Sequence, residues 1–306
     1  GYYAILETAL RAKKNLSIDE HKKYLGKMYS EFSKIAAANP GGWSEKDLSW
    51  QDIAMVNKKN TIQALPYNKF HCTSWNVNQA SAMILCSEEI ADELNIPKSK
   101  RIYPLASSET NHMIAAIQRP NLIKPTGLKL AAEYILNICH ENNIKPNTYE
   151  LYSCFPVAVQ MFAEVLSLQD NEKLTVTGGM SFAGGPLNNY MIHSTVKMLE
   201  DIRSTPSKIG LVTGVSGMMT KQAFALWAKD PLINFTSKDV TGDAAALERP
   251  KDISSLNEGA GVIIGYTVLP KNHKEEEKSV MYIEDTNGDR KVLISYDKDT
   301  LKKMGE

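Results

Sequence analysis

The sequence predicts an α/β layered domain followed by a small, strand-rich C-terminal unit. Three observations carry this. From residue 101 onward, short apolar runs alternate with amphipathic helical patterns, which is the rhythm of layered α/β folds. Three loops, at YSCF, GG…GGP and TGVSG, the last two rich in glycine, each follow a strand pattern, and strand ends are where such folds bind ligands. Near residue 254 the rhythm stops, and GAGVIIGYTVL and VMYIEDTNGDRKVLISY read as strands, with Asn287-Gly288 a hairpin turn signal.

Taken in order, residues 2–14 and 19–37 read as helices. In the second, Tyr24, Met28, Phe32 and Ile35 recur at helical spacing, and Ser17 stands as the cap. Residues 39–80 are loop-rich. MILCS (83–87) reads as a short buried strand, and SEEIADELNI opens with a serine and two acidic residues, the signature of a helix start. RIYPLASSE is a strand. TGLKLAAEYILNICHENN (126–143) is a helix with Leu128, Ala132, Ile135 and Cys139 on one face. YELYSCF (149–155) is a strand leading through Pro156 into a helix. LTVTGG (174–179) is a strand, LNNYMIHSTVKMLEDIRS a long helix and KIGLVTGVSG a buried strand ending in a glycine-rich bend. No internal repeat is evident. The expected divisions are 1–97, 98–253 and 254–306.

Composition bounds the function. With 306 residues, 43% of them hydrophobic, the chain can bury a large core. Its 35 basic and 35 acidic residues balance, which argues against a nucleic-acid-binding face. The dense run KNHKEEEK mixes both signs and reads as a solvated loop. No apolar run approaches a membrane span, and no secretory leader pattern opens the sequence. The four cysteines (Cys72, Cys86, Cys139, Cys154) show neither paired spacing nor a His partner at ligand spacing, so reduced thiols, no metal site and a cytoplasmic setting are expected. No Walker loop occurs, and DTNGD reads as a turn rather than a calcium loop.

Four segments, in order and at matching spacing, resemble the thiolase superfamily, and most of all its acetyl-CoA acetyltransferase branch related to the sterol-carrier-type thiolases. HCTSWNVNQASAMILCSEEIADEL is similar to the segment that closes the N-terminal half of a thiolase. YSCFP stands where the family has an HDCF or NEAF loop, GGMSFAGGPLNN where it has GGxxxxGHPxG, and VTGVSG where it has the second-cysteine loop. The likeness runs from about residue 3 to 233, and the β-rich tail resembles the extra C-terminal domain of type 1 thiolase-like proteins. It implies a layered αβαβα thiolase-like fold, here the C-terminal half plus the loop region, and a chemistry on coenzyme A thioesters in lipid metabolism. In that chemistry a cysteine nucleophile is activated by the GHP histidine and a second cysteine moves the substrate proton. No tightly bound cofactor is implied.

Carried over by position, that machinery is largely replaced. The GHP histidine falls on Gly185, the HDCF or NEAF polar residue on Tyr152 with Ser153 next, and the second cysteine on Gly214. The family's nucleophile would lie upstream of residue 1. MILCS would then be one strand of a sheet whose other strands come from an absent N-terminal half or a partner subunit; a homodimer is the other assembly to expect.

Each candidate carries two readings. Tyr152 either donates to a thioester oxygen or is a strand-end tyrosine with its hydroxyl in water. Cys154 is either a nucleophile or a small buried hydrophobe, the latter favoured, while Cys86 and Cys139 read as core. Cys72 follows His71, but adjacent side chains rarely converge. Asn188 and Asn189 either meet ligand or cap the following helix. His193, about one turn into that helix, either faces the pocket or solvent, and His112 is a loop histidine at a strand end. Gly178, Gly179, Gly184, Gly185, Gly214 and Gly217 allow backbone to approach a thioester or pantetheine arm. Two functions follow: an acyltransferase with a degenerate acid–base set, or a non-catalytic thiolase-fold protein that binds acyl-CoA or scaffolds a partner.

Overall fold

The structure, a computed structural model, describes residues 1–169, 171–255 and 258–305. Two helices open it, α1 (Tyr2–Lys13) and α2 (Ile18–Ala38). Ser17 closes a capping box on α2: the Glu20 N–H donates to Ser17 Oγ at 3.3 Å and the Ser17 N–H to the Glu20 carboxylate at 2.9 Å. Ser49 and Asp52 form a second box at α3 (Trp50–Ala54). Strands β1 (Ile62–Ala64) and β2 (Tyr67–Asn68) pair as a short antiparallel ribbon. Helix α4 (Glu88–Glu93) starts at Ser87, whose side chain accepts from the Ile90 N–H.

The α/β unit follows as β3 (Tyr103–Thr110), α5 (Thr126–Glu141), β4 (Thr148–Glu150), α6 (Pro156–Val165), the short α7 (Gly179–Phe182), α8 (Tyr190–Ser204), β5 (Ile209–Ser216), β6 (Lys221–Ala228), β7 (Thr236–Asp239) and α9 (Thr241–Leu247). The strands form one mixed sheet in the order β4-β5-β6-β3-β7, with β6 antiparallel to both neighbours. Strand alternation separates two cores. Leu211, Phe224 and Leu226 face the larger one with α5 and α6, whereas Val212 and Trp227 face Met198 and Ile202 of α8. Both faces of the sheet are thus covered by helices. The helical face expected of 126–143 is the buried one: Leu128, Ala132, Ile135 and Cys139 all lie in the core.

Three expected strands differ. Residues 83–87 are extended but unpaired; residues 75–86 make no backbone–backbone hydrogen bond among the described residues. Ile84 is 90% and Leu85 70% exposed, and Cys86 is exposed rather than core. Among the described residues no strand pairs with this segment. Residues 174–178 form an irregular loop leading into α7, and the N–H groups of Val176, Thr177, Gly178 and Gly179 turn to side chains instead of a strand partner. The strand expected over 149–155 ends at Glu150, beyond which Leu151 N–H reaches Leu174 O at 2.9 Å and Tyr152 N–H reaches Thr213 Oγ1 at 2.8 Å.

After residue 258, β8 (Gly261–Leu269), β9 (Lys278–Asp285) and β10 (Arg290–Ser295) make a separate antiparallel sheet in the order β10-β9-β8. Asn287-Gly288 turns the β9–β10 hairpin, with Gly288 at φ +86° and Asp285 accepting from the Asn287 and Asp289 N–H groups. The tail is not purely β. Helix α10 (Lys298–Gly305) ends it, with Leu301 and Met304 buried against the sheet. The sheet packs on α1. The Thr8 hydroxyl donates to Tyr266 O at 2.6 Å and accepts from the Tyr266 N–H at 2.9 Å, and a Cβ at Gly265 would come within 2.7 Å of Ile5 O. A buried cluster ties α1 to its other neighbours: Glu7 accepts from the Tyr67 hydroxyl at 2.5 Å and the Gln160 amide at 2.7 Å and meets His21 Nε2 at 2.8 Å.

Candidate functional site

The loops after β4 and β5 and the loop between α7 and α8 converge on a cavity of about 650 Å³. Tyr152, Cys154 and Phe155 come from the first, Ser216, Gly217 and Met218 from the second, and Gly185, Leu187 and Asn188 from the third, with Met180 added by α7. Tyr3 of α1 and the segment Cys72, Thr73 and Trp75 complete the wall. Other hollows exist, including a groove of about 590 Å³ under residues 82–86, whereas the loop cavity lies where these strand-end loops meet.

The wall is aromatic and thiol-bearing. Tyr3 stacks on Phe155 at 4.5 Å between ring centroids, and Tyr152 meets Tyr190 edge-on at 5.6 Å. Burial pushes the Cys154 thiol up to about 12 and the Cys72 thiol up to about 11, so both are neutral thiols near pH 7. Burial also raises the Tyr152 hydroxyl, which stays protonated and able to donate. No His, Asp, Glu, Lys or Arg stands among the residues of the wall. Among the described residues, no three His, Cys, Asp or Glu side chains could hold a metal ion.

The sequence-predicted site residues separate into two groups. Tyr152, Gly185, Asn188 and Gly217 line the cavity; Ser153, His193, Gly178, Gly179, Gly184, Asn189 and Gly214 do not. Ser153 is buried beneath the loop, where its Oγ accepts from the Met180 N–H at 3.0 Å. His193 stacks on Tyr190 at 6.4 Å, half-buried, and burial lowers its pKa. Neither Asn188 nor Asn189 caps α8 with its side chain; Asn189 Oδ1 instead accepts from Ser81 Oγ at 3.2 Å. His112 is absent from the wall, and His71 turns its Nδ1 to the Asn68 N–H at 3.1 Å while Cys72 Sγ points to Asn68 O, so the two form no dyad.

The glycines approach the protein itself rather than open space. Gly178 holds φ +99°, and a Cβ there would lie 2.3 Å from the Ala36 nitrogen. Gly184 holds φ +102° with Gln79 Oε1 2.3 Å from the same position. Gly179 faces the Phe32 ring, Gly185 the Thr73 methyl and Gly214 the Met191 side chain. Close packing of the loop against α2 and residues 73–79 therefore explains the glycine content.

Sequence reasoning missed the group that organises this loop. Glu150, at the end of β4, is fully buried. Its Oε2 accepts from Thr175 Oγ1 (2.9 Å), the Val176 N–H (2.7 Å) and the Thr177 N–H (2.9 Å), and its Oε1 from Thr177 Oγ1 (2.9 Å) and the Tyr190 hydroxyl (2.8 Å). Burial pushes its pKa above the usual carboxylate value, while these donors draw it back. The available signal was a lone Glu inside the apolar run of YELYSCF, followed by the alternating hydroxyls of TVT.

No protein-family model and no curated protein matches the sequence. Solved structures do. The fold is that of thiolase-like proteins: the whole chain superposes on 67% of the crystal structure of a monomeric SCP2-thiolase like protein type 1 from Mycobacterium smegmatis, with a TM-score of 0.86 and 23% identity. A second likeness is to the Ltp2-ChsH2(DUF35) aldolase, covering 76% of this chain and 64% of that one at a TM-score of 0.59 and 16% identity. The chain thus spans about two thirds of the length of these relatives.

Proposed function

We propose that this chain is a thiolase-fold protein that binds coenzyme A thioesters in the loop cavity without itself carrying out acyl transfer. The observation that carries this is the cavity wall: it supplies hydroxyls, thiols and an amide, but no group that takes or gives a proton near neutral pH. Claisen-type acyl transfer needs a populated thiolate and a base matched to the working pH. Here Gly185 stands at the family's base position and Gly214, outside the wall, at its second cysteine. What remains is a slot with a donor, Tyr152, for a thioester oxygen and apolar rings for an acyl or pantetheine arm.

Titration of the purified chain with acetyl-CoA by calorimetry tests this. Saturable binding with a Kd below about 1 mM, and no acyl exchange or thiolysis, is the expected result. No binding, or turnover by this chain alone, overturns the reading.

A second reading has its own observation. The unpaired, apolar 82–86 segment is suited to cover by further polypeptide, a partner subunit or another half that would bring the nucleophile. In that assembly the protein acts as an acyltransferase of the acetyl-CoA acetyltransferase type. Acyl exchange appearing only when a second polypeptide co-purifies with this chain favours it.

A further inference from the structure

The loop 176–180 presents five consecutive backbone N–H groups, and side chains satisfy every one. Glu150 Oε2 takes those of Val176 and Thr177 directly. Thr175 Oγ1 and Thr177 Oγ1, whose own hydroxyls donate to Glu150, take those of Gly178 and Gly179, each at 3.0 Å. Ser153 Oγ takes that of Met180. A buried N–H without an acceptor is costly, so this loop holds its shape only while these acceptors stay in place.

We propose that Glu150 is the positioning residue of the cavity: through Thr175, Thr177 and Tyr190 it fixes Met180 and Tyr152, wall residues contributed by α7 and by the loop after β4. The first path runs along the loop, from the Glu150-bound amides to Met180, which lines the cavity. The second runs through the Tyr190 hydroxyl, bound to Glu150 Oε1, to the Tyr190 ring, which abuts Tyr152 edge-on at 87°. No Lys, Arg or His lies within ion-pair distance of Glu150 among the described residues. The carboxyl group is held by oriented hydroxyl and amide groups alone. Glutamine keeps the shape but brings an NH₂ that faces donors on one side, so part of the set loses its acceptor. The functional weight of this assignment rests on the thioester reading above, whereas its structural part does not.

The test compares Glu150→Gln, Thr177→Val and Thr177→Ser with wild type by amide hydrogen exchange, acetyl-CoA titration and the labelling rate of the wall thiol Cys154, mapped by mass spectrometry. In Glu150→Gln, protection at 176–180 is expected to fall at least tenfold, Cys154 labelling to rise at least tenfold and acetyl-CoA affinity to drop at least tenfold, with exchange in α5 unchanged. Thr177→Val, which removes one relay hydroxyl, shows the same pattern more weakly, and Thr177→Ser, which keeps it, restores wild-type values. Should Glu150→Gln not fold, the two Thr177 variants decide alone. Unchanged exchange and labelling in the folded variants overturns the proposal, as does a loss spread equally over α5. Should wild type fail to bind acetyl-CoA, the thioester reading falls, and exchange and labelling still judge the position of the loop.

Discussion

His71 shows how much a single buried side chain can impose on this fold. It is 1% exposed, accepts from Asn68 through Nδ1 and leaves Nε2 without a partner, and burial lowers its pKa to about 3. The folded state therefore keeps His71 neutral where the unfolded chain, titrating near 6.5, takes up a proton. The stability this contributes is complete above pH 6.5 and is lost as pH falls toward 3, at up to about 1.4 kcal/mol per pH unit. Denaturant unfolding between pH 6.5 and 4.5 should show His71→Asn with a flatter pH slope by about that amount. Parallel slopes would exclude His71 as the source. At this scale the sequence was partly legible. The aligned positions Tyr152 and Gly185 do reach the cavity, since a loop match fixes backbone place. Ser153 and His193 do not, because side-chain direction depends on the next shell, which no local pattern reports. Glu150 escaped for the same reason: its meaning lies in donors 25 to 40 residues away.

Helices were readable from their own ends. The serine–glutamate pair at 17 and 20 and the apolar spacing that follows are local, and α2 forms where they place it. Ser17→Ala removes one acceptor and one donor of that box, and should cost about 1 kcal/mol in denaturant unfolding. A change below about 0.2 kcal/mol would show that tertiary packing alone sets that helix end. Strands were readable only where a partner exists. Residues 83–87 and 174–179 have the composition of strands, yet one has no neighbour and the other spends its N–H groups on Glu150, Thr175 and Thr177. Strand β6 posed the reverse difficulty: Phe224 and Leu226 fill one core and Trp227 the other, so no alternation of apolar and polar residues marks it.

Over the whole molecule, the layered order and the late change to strands were visible in the sequence because both are statements of rhythm. The exposed face at 82–86 follows from packing and was anticipated only as a strand in need of neighbours. Ile84, at 90%, is the most exposed large apolar side chain among the described residues, and Leu85 beside it is exposed too; other adjacent exposed apolar residues are Met55–Val56, Val262–Ile263 and Val292–Ile294. The double variant Ile84→Ser/Leu85→Ser should leave unfolding stability within about 0.5 kcal/mol of wild type and reduce concentration-dependent association in sedimentation velocity. Association equal to wild type would show that this face is not adhesive in the isolated chain.

Helix α1 has one face on β8, through Thr8 and Gly265, while its first turn carries Tyr3 into the cavity wall beside Phe155. The C-terminal sheet is thereby wedded to the loop cavity through residues 2–13. Recombination between relatives that exchanged only the segment of the C-terminal sheet would mismatch α1 with its new sheet and tilt Tyr3; a viable exchange has to carry α1 and that sheet together, so the two segments are expected to descend as one heritable unit.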